Sequence, residues 1–462
     1  MPRRWPSRGP GPLSAPIAAL IVLGMAGVSA RAAEPRTRPA TSSDVPARIG
    51  GGSCAAKGCH GGVGASDPAH GAVAFQGGEF TTWRTFDPHA RAGSVLRDER
   101  SRGIAKRLSR RLDGRPAHQA PACLACHAPA ASLGPIGGAD PDPAAESLRA
   151  GVDCEACHGP ASRWKDAHLA ADWRAKDAGF KAEAGMIDLD APLARVRSCV
   201  GCHVGDRSRG MDVDHDLIAA GHPRLNFEFA SYLAAYPKHW REPDSFNEAQ
   251  AWALGQVAVA WAGVDLLHDR AEAAGADGPG PWPEFSEYAC FSCHRELPST
   301  VGGSPGGAHA AGSPLSWATW PLAMLPALDP VRGGAEFAPL RSAMARDEPD
   351  PAEVARLARD RSGSLDAWIR ALEGERFDAA RVDGLIKALE ADPFPNPSET
   401  WDAATQRYLG LSALGRSRHA PGGAAGSLPG IDPKWLAFPP GFDSPRVVRD
   451  PESSAGSNAK AR

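Results

Sequence analysis

Every cysteine in this 462-residue chain belongs to one of five cysteine–histidine signatures between Cys54 and His294. Four are plain C-x-x-C-H motifs: Cys123–His127, Cys154–His158, Cys199–His203 and Cys290–His294. The first, Cys54-Ala-Ala-Lys-Gly-Cys59-His60, places four residues between its cysteines. In a C-x-x-C-H motif two thiols form thioethers to a porphyrin and the adjoining histidine ligates the iron. The pairs Cys54/Cys59, Cys123/Cys126, Cys154/Cys157, Cys199/Cys202 and Cys290/Cys293 therefore predict five covalent haem c groups with no thiol left over. The proximal ligands would be His60, His127, His158, His203 and His294. Zinc ribbons also use C-x-x-C pairs, but zinc does not demand a histidine directly after each second cysteine. A disulfide framework at this repeated spacing would be unusual. For the wider first motif the competing reading is a single thioether from Cys59.

Five porphyrins within residues 54–294 leave too little chain to build a separate core around each one. The haems must then form much of the interior and lie close together. Gly and Pro make up about a fifth of the chain (51 and 43 residues), against a usual share of roughly 12%, which predicts short helices joined by many turns. No sustained period-2 alternation is present, so a sheet is not expected. The clearest helix opens at the capping box Ser245-Phe-Asn-Glu248 and runs to Gly275, with Val257, Ala260, Trp261, Val264 and Leu267 facing inward. The expected fold class is mainly α: short helices and long loops around stacked haems, plus a small C-terminal helical region.

Arg3 and Arg4 precede an apolar run from Ala15 to Ala30, followed by Ala30-Arg31-Ala32. This pattern reads as a secretory signal over residues 1–32, with an uncleaved anchor as the alternative. Residues 33–49 read as a linker and 50–300 as the pentahaem domain. Residues 313–414 read as helical, with starts at Asp350-Pro351, Ser364, Asp378 and Ser398, and 415–462 as an irregular tail. No later stretch is long and apolar enough to span a bilayer. A net charge of −3 with mixed signs gives no reason to expect nucleic acid. Export fits a periplasmic protein.

The sixth iron position separates a carrier from a catalyst. Only four methionines lie beyond the signal, too few for five His/Met sites, whereas ten histidines lie outside the motifs. Bis-histidine ligation is the economical expectation. It favours lower potentials, since methionine raises them. The distal candidates are His89, His168, His222, His215 and His239. His118, His268, His309 and His419 are expected to be surface or core residues, and His70 stays open between ligand and surface residue.

Several flanking sequences resemble the multihaem cytochrome c-554 family (the cytochrome c-552/4 type of domain). They are Asp87-Pro-His-Ala-Arg-Ala, Gly151-Val-Asp-Cys154-Glu-Ala-Cys157-His158-Gly-Pro with His168 downstream, Arg197-Ser-Cys199-Val-Gly-Cys202-His203, and His215-Asp-Leu-Ile-Ala-Ala-Gly-His222-Pro-Arg-Leu. The resemblance covers about residues 50–300. It implies a mostly helical periplasmic electron carrier with haems in stacked pairs and distal ligands that cross over in sequence. Carried to this chain, His168 would cap the His203 haem, His89 the His158 haem and His222 the His60 haem, leaving the His127 haem open. The family prototype carries four haems, so the Cys290 motif and its distal ligand cannot be inherited, and His215 or His239 is the expectation there. The leading function is electron transfer between redox partner proteins. The alternatives are an oxidoreductase acting on a small nitrogen or sulfur compound at an open iron, and a scaffold subunit docked through the cysteine-free C-terminal part.

Overall fold

Helices too short to stand alone dominate the motif-bearing half of the chain. The computed structural model describes residues 45–62, 77–129, 150–243, 246–275, 281–294, 315–391 and 400–418. The signal, most of the linker, the glycine-rich stretch after 300, the tail beyond Arg418 and His70, His309 and His419 lie outside them. The described residues from Pro46 onward belong to one compact unit. In chain order the α-helices are α1 (Glu79–Phe86), α2 (Glu99–Arg107), α3 (Pro121–His127), α4 (Cys154–His158), α5 (Ala178–Glu183), α6 (Pro192–His203), α7 (His215–Ala219), α8 (Phe229–Ala235), α9 (Glu248–Gly275), α10 (Leu325–Leu328), α11 (Ala338–Met344), α12 (Pro351–Glu373), α13 (Ala379–Leu389) and α14 (Trp401–Arg418). Short 3-10 turns join them. Among the described residues there is no strand, only two isolated bridges, Asp206 with Met211 and Tyr288 with Trp317. The chain is mainly α, as the lack of alternation predicts.

Helix α9 is the axle of the packed core. Val257, Ala260, Val264 and Leu267 are fully buried as the helical period predicts, while Trp261 is only partly so. Burial is not confined to that face: Ala251, Trp252, Leu254 and Ala258 are also shielded. A helix covered all round loses its amphipathic signature. Its neighbours are α6, α8, α12 and α14. Gly255 lets Phe229 of α8 approach: a Cβ there would sit 2.6 Å from the Phe229 Cβ. Among the described residues no helix is long and apolar enough to cross a membrane.

The C-terminal helices are capped as their sequences predict. Asp350 accepts from Ala352 N–H at 3.0 Å with Pro351 at the first helical position. Asp378 accepts from Arg381 N–H at 2.9 Å. The separate helix expected from Ser364 is absent because α12 runs unbroken to Glu373. Gly363 meets open space there and imposes no break. Helix α14 passes Leu414, its expected end, and reaches Arg418.

Polar ties bind these helices to the motif-bearing half. The Asp265 carboxylate accepts from the Ser362 hydroxyl at 3.0 Å, and His268 Nδ1 meets the Ala355 carbonyl at 3.0 Å. Arg197 of α6 pairs with Asp366 of α12, and Arg224 pairs with Asp402 of α14. Within the motif-bearing half a buried tie centres on Arg270, which pairs with Asp212 and Glu287, both at 2.5 Å. It joins α9 to the segment after the fourth motif and to the segment entering the fifth.

Three substitutions test this packing. Removing one member of a buried ion pair strands the others, at about 3–5 kcal/mol. Arg270→Ala should therefore lose stability on that scale in chemical denaturation of the holoprotein. Arg356→Ala, which breaks the exposed pair with Asp360, should cost about 0.5 kcal/mol or less. Gly151 has φ 62°, and an added Cβ would fall 2.5 Å from the His89 carbonyl. Gly151→Ala should lower the melting temperature of the protein in a thermal melt.

Candidate functional site

In an α-helix, residues i, i+3 and i+4 share a face. A C-x-x-C-H motif wound as a helix therefore aims both sulfurs and the imidazole to one side. The second, third and fourth motifs are built this way. Pro121 starts α3 and Pro192 starts α6, each where its missing N–H costs nothing. Helix α4 is capped by Asp153, which accepts from Ala156 N–H at 3.2 Å. The first motif, with its extra residues, is not helical. Cys54 ends a 3-10 turn and a tight loop carries the chain to His60. The fifth motif is a 3-10 turn, Cys290–Ser292.

Buried carboxylates dock the first motif on the third. The Arg48 guanidinium bridges to Asp153 at 2.7 and 2.8 Å. Glu155 accepts from the Ile49, Gly50 and Ala161 amides. As a result the Cys54 and Cys154 thiols are hydrogen-bonded neighbours. That contact drops Cys54 to about 6 and pushes Cys154 up. The thiols of Cys126 and Cys202 meet in the same way, joining the second motif to the fourth and lowering Cys202. None of the ten cysteines forms a disulfide. Among the described residues no three or more His, Cys, Asp or Glu side chains converge as a metal-ion site.

The four motifs surround one continuous cavity of about 1410 Å³, larger than the roughly 300–1,000 Å³ of ordinary small-molecule sites. It is lined by the cysteines and histidines of the first four motifs and by His89, His168, His222 and His239. Four histidine pairs face each other within it. Ring centres are 6.0 Å apart for His60 and His168, 6.0 Å for His203 and His89, 6.3 Å for His127 and His222, and 6.5 Å for His158 and His239. Two imidazoles bonded to one ion from opposite sides, at roughly 2 Å per metal–nitrogen bond, have ring centres about 6 Å apart. The residues present thus fit a haem iron between each pair, with two thiols beside it.

The facing pairs correct the crossing pattern implied by the resemblance. His168 stands beside His60 rather than His203. His89 stands beside His203 rather than His158, and His222 beside His127 rather than His60. His127 is therefore not left without a facing imidazole. His239 faces His158, so it is not a neighbour of the fifth motif. The sequence offered no way to pair these residues, because each partner lies on a different loop.

Burial pulls His158 and His203 down to about 4. It lowers His127, His222 and His239 as well. These rings are neutral, the form that can bind a metal. Most Nδ1 atoms are fixed by nearby acceptors. His127 uses the Ala92 carbonyl at 3.0 Å, His222 the Pro223 carbonyl at 2.8 Å and His168 the Lys165 carbonyl. His60 uses Glu79 at 2.9 Å and His89 uses Asp87 at 2.9 Å. The roles of Asp87 and Glu79 were missed in the sequence. The available signal was the Asp-x-His spacing of an Asx turn, which folds an aspartate back on a residue two positions ahead.

The fifth motif lies apart. Cys290, Cys293 and His294 do not line the cavity, and Cys293 and His294 are exposed. His215 begins α7, donates its N–H to Glu284 at 2.9 Å and packs edge-on against Phe285 at 5.7 Å. That places it against the segment leading into the motif. His268 spends its nitrogens on Ala355 and Arg359, outside the cavity. His118 sits on a part-exposed turn away from it.

No curated protein and no solved structure matches the chain. Residues 56–159 match the family model described as cytochrome c554 and c-prime. That segment spans the end of the first motif and all of the second and third. The family carries covalently bound haem c and has a haem-based electron-transfer role. Over residues 56–159 the chain is thus similar to the c554-type multihaem cytochromes.

Proposed function

We propose that the protein is an exported, periplasmic pentahaem cytochrome c that relays electrons between partner redox proteins. The observation that supports this most is the set of four facing histidine pairs around one shared cavity. Haem bound there supplies a one-electron ferric–ferrous couple, and the cofactor carries that chemistry. The chain's own residues anchor, orient and close. Each cysteine pair would anchor a porphyrin. His60, His127, His158, His203 and His294 would hold iron from the motif side. His168, His222, His239 and His89 would hold the first four from the facing loops. Of the two histidines weighed for the His294 iron, His239 is engaged elsewhere, which leaves His215.

Two strong ligands per iron favour carriage over turnover, because substrates need a vacant position. Sharing one cavity lets neighbouring groups exchange electrons without a diffusing intermediate. The paired thiols of Cys54 with Cys154 and of Cys126 with Cys202 support close stacking of haems one with three and two with four. The N-terminal signal pattern supports export, where covalent haem attachment takes place.

The mature protein should weigh the polypeptide plus five haems, and its pyridine haemochrome should give the same count. Four or fewer would remove the fifth site from the proposal. His222→Ala should open the His127 iron. The reduced variant should then bind one more equivalent of carbon monoxide than the wild type, with loss of one low-spin signal. An unchanged carbon monoxide stoichiometry would overturn the pairing of His127 with His222.

A further inference from the structure

The four facing pairs are not electrostatically alike. His127, His222 and His168 rest their Nδ1 atoms on neutral backbone carbonyls. The buried Nδ1 of His239 has no acceptor. Two rings instead address carboxylates, and those two carboxylates differ in setting. Glu79, beside His60, keeps 26% of its side chain exposed, so water and salt screen it. Asp87, beside His89, is 0% exposed.

Asp87 is held by three donors. The His89 backbone N–H and Nδ1–H each donate to Oδ1 at 2.9 Å, and the Tyr236 hydroxyl donates to Oδ2. Three N–H and O–H donors converging on one buried carboxyl suit its ionised form. A carboxylate can only accept, so Nδ1 carries the proton and Nε2 faces His203 across the cavity. The Tyr236 ring lies 5.8 Å from His89 and 6.3 Å from His239, between two of the pairs.

We propose that Asp87 is a positioning residue that makes the His203/His89 iron the lowest-potential site in the shared cavity, with Tyr236 setting how strongly it acts. The inference rests on the ligand reading given above. A carboxylate drawing on the far nitrogen of a ligating imidazole makes that imidazole a stronger donor. A stronger donor, together with an unscreened negative charge close by, stabilises ferric over ferrous iron. Glu79 acts on the His60 iron in the same sense but more weakly, because it is partly solvated. The Tyr236 hydroxyl bond draws charge away from the carboxylate, so it opposes the effect of Asp87 instead of adding to it.

The test is mediated potentiometric titration of the purified holoprotein, followed by visible absorption and low-temperature electron paramagnetic resonance. Asp87→Asn should favour reduction of one haem by at least about tenfold, equal to about 59 mV for one electron, with the other midpoints in place. Glu79→Gln should move a different haem by less, and that shift should shrink as salt rises. Tyr236→Phe should move the same haem as Asp87→Asn, but to lower potential, an opposition that simple loosening of the fold would not produce. His89→Ala should abolish one low-spin signal, and persistence of all of them would refute the ligand reading itself. With that reading intact, the role of Asp87 is overturned if Asp87→Asn leaves every midpoint unmoved. It is equally overturned if Asp87→Asn and Tyr236→Phe shift the same way or displace all midpoints together. Should Asp87→Asn fail to mature, Tyr236→Phe decides alone: a lowered midpoint supports the role, and an unmoved or raised one overturns it.

Discussion

Opposed imidazoles across an apolar interior govern this structure. Eight imidazoles face one cavity here, in four pairs whose ring centres lie 6.0–6.5 Å apart, a spacing that fits a metal ion between the members of each pair. Everything around them serves to hold orientation: carbonyls and carboxylates grip the outer nitrogens, and helical motifs aim sulfurs and ring to one side. The short helices α3, α4 and α7 could not persist in water alone. They persist because they are clamped to this shared interior.

The cysteine-free helices take part in that orientation. Arg224 lies two residues after His222 in the same loop, and its guanidinium is held by Asp402 of α14. Gln406 of α14 donates to Asn226 at 2.7 Å, a few residues further along. Arg197, just before the fourth motif, is held by Asp366 of α12. Two of the facing pairs thus take their geometry partly from residues far beyond the last motif.

The chemistry of the site was legible because covalent haem attachment requires fixed local spacing. The four motif histidines and eight cysteines that line the cavity could be named from the sequence. The distal histidines were legible as candidates but not as partners. Pairing depends on long-range docking, such as Arg48 reaching Asp153 and Gly151 passing the His89 carbonyl, and no local pattern encodes it. The cap residues Asp350 and Asp378 marked their helices correctly, since capping is a short-range property. The break expected before Ser364 failed because burial of Ser362 and Leu365 against α9 overrides the weak local preference of Ser-Gly-Ser. Helix α9 concealed its all-round burial because its one expected stripe was real and the remaining faces were filled by α8, α12 and α14.

The Arg224–Asp402 bridge also bears on how such a chain can change over time. An exchange at Asp402 looks remote from any redox group when the sequence is read as a line. In three dimensions it slackens the loop that aims His222 into the cavity. Drift in the helical C-terminal segment would therefore be felt at the cavity, through the set of the His222 loop.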